Sequence, residues 1–161
     1  MKINDKRITS SWIPAVSILE EIIPHIKNSY LVGIRSIILL DKDYHQDKKT
    51  KALGRYAPIP GSNSANIEIY LESLSSMPDL AKNSRMYLSY LISRILMHEI
   101  YHHIVRGQGI KQMQRFKVEE GAADKWSLRE VDSFFEKLFP ADEYEEEWNN
   151  IHEAKRRAGL S

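Results

Sequence analysis

The chain has 161 residues, 42% of them apolar and 28% charged, with 23 lysines and arginines against 22 acids and no cysteine. That composition suits one folded core rather than a disordered chain, and the balanced charge gives no footprint for nucleic acid or an anionic membrane. The lack of cysteine excludes a disulfide scaffold, a thiol nucleophile, iron–sulfur ligation and every thiolate zinc site, so any metal must be held by histidine and carboxylate.

Residues 1–11 carry Lys2, Asp5, Lys6 and Arg7 with no following apolar run that ends in small residues, which is not a secretory pattern. No uncharged stretch approaches the ~18 residues of a membrane span. A single cytoplasmic domain over residues 1–161, with no membrane association, is expected. Neither an internal repeat nor a low-complexity tract is present, apart from the short acidic run at 143–147.

Ser10 or Ser11, then Pro14 and the run 15–26, predict a first helix that Pro24 ends or kinks. Residues 33–40 are apolar and β-branched, bounded by Gly33 and a polar loop, and read as a strand. Around 55–60 a short extended piece is expected, confined to an edge or a loop by Pro58 and Pro60. Residues 66–72 alternate, with Ile67, Ile69 and Leu71 on one side and Asn66, Glu68, Tyr70 and Glu72 on the other, which predicts a half-buried strand at a sheet edge. From 84 the period changes. Residues 84–106 lack Gly and Pro, carry apolar side chains around most of a helix, and stop at Gly107 and Gly109. A second helix over 117–138 carries Val118, Ala122, Ala123, Trp126, Phe134, Phe135 and Leu138 and is broken by Pro140; a charged third helix is expected over 143–158. The fold class is thus α+β, with a sheet region at 33–72, a pair of helices at 84–139 and a helical C-terminus.

Inside the first long helix stands His98-Glu99-Ile100-Tyr101-His102. At 3.6 residues per turn the two histidines are about 40° apart and one turn apart, so both imidazoles leave one face and can bind a single Zn²⁺. Glu99 lies on the flank of that face, within reach of a water on such a metal without being a ligand. Three ionisable groups on an otherwise apolar helix are costly unless paired or metallated. The extension H-E-x-x-H-x-x-G-x-x-H fails, since Val105 and Gln108 occupy the glycine and histidine positions. Downstream, Glu120 and Asp124 are four apart on one face of the second helix. Glu120 can complete a His₂Glu set and Asp124 can fix an imidazole tautomer, while the bland alternative is that Glu119 and Glu120 are acids favoured by the helix dipole.

HEIYH followed by E-G-A-A-D at 120–124 resembles the gluzincin zinc metallopeptidases, and among them the small minigluzincins and the ImmA/IrrE-type peptidases. The resemblance covers about 84–127, with weaker support from the strand at 66–72. It implies a small zincin-like fold: a short mixed or antiparallel sheet packed on an active-site helix, with a second ligand-bearing helix behind it. It implies one Zn²⁺ on His98, His102 and Glu120, Glu99 as general base, Asp124 beside His98, and a peptide or protein substrate pairing with the edge strand. Glu68 and Tyr70 of the 66–72 strand can then face the cleft, or simply solvent. No Tyr or His of a second lobe can be matched as an oxyanion stabiliser. That leaves an alternative function, a catalytically silent zinc-bearing module that binds a peptide or protein without cutting it, whereas the intact Glu99 favours the enzyme.

The remaining candidates read as structural. His103 points about 140° away from His98 and is expected to be hydrogen-bonded rather than a ligand. His25, His45 and His152 read as surface residues, and Trp126 with Phe134 and Phe135 as core.

Overall fold

The computed structural model describes residues 1–44, 52–76, 84–107 and 116–159. His45 and Gly109 fall outside them, as does Gln108. Four strands, β1 (Lys2–Asp5), β2 (Ile34–Leu40), β3 (Gly54–Pro58) and β4 (Ala65–Tyr70), form one sheet in the order β1-β2-β4-β3. β1, β2 and β4 run parallel, and β3 runs antiparallel to β4. Helices α1 (Ala15–Ile22) and α2 (Asn28–Leu31) link β1 to β2, with a 3-10 turn at Ile23–His25 where Pro24 removes a helical donor. After β4 come α3 (Arg85–Gly107), α4 (Phe116–Leu138) and α5 (Glu145–Arg157). The protein is α+β, with a mixed sheet packed on α1 and α3 and a helical C-terminus.

The sheet's inner face carries Ile37 and Leu39 of β2 and Ile67 and Ile69 of β4, all fully buried against Ile18, Leu19 and Ile22 of α1 and Ile92 and Leu96 of α3. Ile34 is buried as well although it is three residues from Ile37. A register irregularity between Ile34 and Ser36 inserts the odd residue and returns both isoleucines to the core. At the far end, Phe135 sits fully buried among Tyr90, Phe139 and Trp148, and the Trp148 indole N–H donates to the Phe139 carbonyl at 2.8 Å. That contact holds α5 on α4, together with Lys155, whose ammonium meets Asp132 at 2.8 Å.

Two expectations are corrected. The strand at 66–72 is not an edge: β4 lies between β2 and β3, and β3 is the edge. Alternation cannot tell the two apart when only one face of a sheet is covered by helices. On β4's other side the Tyr70 hydroxyl donates to Glu68. The second correction is β1, which extends the sheet beyond 33–72. Four residues with a single strongly apolar side chain, Ile3, give too short an alternation to read. β1 is held by its parallel pairing with β2, and the loop after it is anchored by Asp41, which follows β2. The buried Asp41 carboxylate accepts the Ile8 and Ser10 N–H groups at 2.9 and 2.8 Å and the Ser10 hydroxyl at 2.7 Å. Ser10 therefore holds this loop, and Pro14 takes the N-cap position of α1.

Candidate metal centre

The site grows out of two antiparallel helices. α4 lays Ala123 and Ser127, both fully buried, against α3, and such small residues let the helices approach closely. On α3, His98 and His102 stack one turn apart. On α4, Asp124 and Glu119 sit at matching heights, so that the lower-numbered histidine meets the higher-numbered acid. His98 Nδ1 lies 2.9 Å from Asp124 Oδ1, and His102 Nδ1 lies 2.7 Å from Glu119 Oε1.

Those contacts decide the tautomers. An ionised carboxylate only accepts, so each Nδ1 carries a proton, and in the neutral imidazole that ligates a metal Nε2 is the atom left with a lone pair. The two Nε2 atoms are 3.1 Å apart, and Glu120 faces both with different oxygens, Oε2 at 2.9 Å from His98 and Oε1 at 2.9 Å from His102. Lone pairs held this close repel one another unless a proton or a metal cation lies among them. All three candidate ligands fall within 4.8 Å of one another, and tetrahedral bonds of ~2.0–2.1 Å would separate their donor atoms by about 3.3 Å, a little more than the 2.9–3.1 Å of the closest pairs, so a slight opening of the cluster is all that Zn²⁺ asks. The donor set, two imidazoles and one carboxylate with no sulfur, suits zinc and leaves a fourth position open. His98, Glu120 and Asp124 are half-buried, whereas His102 and Glu119 are buried.

Glu99 lies on the flank, 7% exposed. Burial pushes its carboxyl up from its ordinary range; the histidines draw it back, Glu120 pushes it further up, and the Tyr56 backbone N–H pulls it down, with a raised value as the net result. A carboxyl lifted in this way is suited to taking and returning a proton.

β3 runs above α3 at this point. The Tyr70 N–H bonds the Leu53 carbonyl at 2.9 Å and the Ile59 N–H bonds the Ser64 carbonyl at 2.8 Å, which sets the parity of the pairing. Arg55 and Ala57 therefore bond β4, and Gly54 and Tyr56 turn their N–H and C=O groups to the edge that no other described strand pairs, the Tyr56 N–H bonding the Glu99 carboxylate there. His103 is structural, as its angle predicts: its Nε2–H donates to the Val32 carbonyl at 2.6 Å, and Nδ1 faces the Tyr56 hydroxyl at 3.4 Å. The Arg106 guanidinium lies over the Tyr56 ring, 5.0 Å from its centroid. His25 and His152 are exposed and stack on Phe134 and Trp148.

The cluster unites His98, His102 and Glu120, with Asp124 behind His98 and Glu99 beside them. Glu119 is the member that sequence reasoning assigned to the helix dipole. A signal was present: acids five residues apart facing histidines four apart match the rungs of two antiparallel helices. Among the described residues no helix is long and apolar enough to cross a membrane. In comparisons with known proteins, the chain matches no family model, no curated protein and no solved structure.

Proposed function

We propose that this protein is a cytoplasmic zinc-dependent metallopeptidase of the gluzincin type, hydrolysing peptide bonds with Glu99 as general base. The observation that carries the reading is the convergence of three candidate ligand side chains, two of them imidazoles oriented by their own carboxylates, beside a buried acid. A purely structural centre has no use for that fourth group. Zinc bound to His98, His102 and Glu120 would polarise a scissile carbonyl and lower the pKa of a bound water toward ~7. Glu99 then takes the proton of the attacking water and returns it to the leaving amine. Asp124 and Glu119 keep both imidazoles in the ligating tautomer throughout. An extended peptide adds to the sheet along the outer edge of β3, pairing with the Gly54 backbone and the Tyr56 carbonyl, while the Tyr56 N–H stays on the Glu99 carboxylate.

The test is incubation of zinc-loaded protein with a proteome-derived peptide library, new amino termini being read by mass spectrometry. Cleavage by the wild type and its loss in Glu99→Gln support the proposal. Full zinc with no difference between the two proteins rejects it in favour of the binding module.

A further inference from the structure

The edge strand meets α3 along a stripe of residues roughly one turn apart, Ile95, Glu99 and His103, with Arg106 beyond. Gly54 lies over the first two and Tyr56 over the last two. A Cβ at Gly54 would stand 2.8 Å from Ile95 Cγ2, 3.0 Å from Glu99 Oε1 and 3.1 Å from the Glu68 carbonyl oxygen. Its φ is not among the positive ones, so the backbone itself does not demand glycine. What demands it is space, and part of that space is filled by the Glu99 carboxylate.

We propose that Gly54 is a positioning residue for Glu99: by presenting no side chain it lets the edge strand come down onto α3, so that the carboxylate is held under the strand beside the metal ligands. Of the three neighbours a methyl group would meet, the Glu68 carbonyl belongs to the β4 backbone and Ile95 Cγ2 to a buried branched side chain. The Glu99 carboxylate is the end of a flexible chain and gives way first. Its displacement leaves His98, His102 and Glu120 untouched, because they are held from α4. Tyr56 keeps the strand in this register, its hydroxyl facing His103 and its ring under Arg106. The inference rests on the peptidase reading for its kinetic consequence, though not for its geometry.

The experiment compares zinc-loaded wild type, Gly54→Ala, Ile95→Ala, Gly54→Ala/Ile95→Ala and Glu99→Gln. Zinc per chain, melting temperature, kcat and KM on a peptide the wild type cleaves, and affinity for acetohydroxamic acid, a zinc chelator that also bonds the general base, are measured. Gly54→Ala is expected to keep one zinc per chain and a KM within about twofold, to lose kcat by roughly tenfold or more, and to lose hydroxamate affinity as Glu99→Gln does. The Ile95→Ala background is expected not to restore kcat, since Oε1 still meets the new methyl. Should the Ile95 contact unfold the single variant, the double variant carries the same test. A Gly54→Ala kcat within twofold of wild type, or recovery on removing Ile95, overturns the proposal. A wild type without cleavage counts against the peptidase reading instead. The hydroxamate arm then still judges Gly54: affinity lost in Glu99→Gln but kept in Gly54→Ala overturns it.

Discussion

The Nδ1 atom of His102 lies 2.7 Å from the Glu119 carboxylate, both groups buried, and this pairing gives His102 the same support that Asp124 gives His98 at 2.9 Å. The two contacts are rungs of one antiparallel helix pair. Removing either acid frees an imidazole to rotate and to change tautomer. Glu119→Ala and Asp124→Ala are each expected to weaken zinc binding by roughly 10- to 100-fold, measured by competition with a chromogenic chelator. Equal affinity in Glu119→Ala and wild type would show that the helix dipole alone explains that acid.

Zinc should also stabilise the fold, because the unfolded chain cannot bring its ligands together. At a free zinc concentration about 1,000 times the dissociation constant the gain is about 4 kcal/mol. Removing metal with EDTA is expected to lower Tm, and adding zinc back to restore it. The same cycle in His98→Ala should leave Tm nearly flat.

Asp41 offers a test away from the metal. Burial pushes its carboxyl up, but the Ser10 hydroxyl and the backbone N–H groups of residues 8–10 more than offset this and hold it well below the ordinary value of 3.8. A depressed folded value means the contribution is fully present above the unfolded value and is lost as pH falls toward the folded one. Asp41→Asn is therefore expected to be less stable than wild type at neutral pH, by about 2 kcal/mol, with the gap shrinking below about pH 4. Urea unfolding at the two pH values reads it.

Phe135 is fully buried where α3, α4 and α5 meet, its ring against Tyr90, Phe139 and Trp148. Phe135→Ala is expected to cost about 3–5 kcal/mol in chemical denaturation. A cost below 1 kcal/mol would mean that the tail is not packed on the domain.

The long helices and β2 were legible in the sequence because their apolar residues repeat over several turns or fill a continuous run. His98, Glu99 and His102 were legible because a helix converts their spacing into a shared face. Glu120 and Asp124 followed by the same rule on the second helix. What escaped depends on relations between elements. Glu119 differs from any first-turn acid only through its height opposite His102, which requires the antiparallel pairing of α3 and α4. β4 was given an edge because one-sided burial produces the same alternation in an inner strand, and the edge beside it, β3, was marked only by Pro58 and Pro60. β1 is too short to show a period and is held by pairing with β2, while the loop after it is tied to Asp41, 36 residues beyond Asp5. Gly54 carries its meaning only in what lies beneath it.

Whether His98, His102 and Glu120 together hold one zinc ion is read from the zinc content of purified wild type and Glu120→Ala, each loaded with excess zinc and dialysed against a weak chelator. One zinc per wild-type chain and well under half of that in Glu120→Ala are expected, with both proteins folded by circular dichroism. Equal zinc in the two would rule Glu120 out as a ligand.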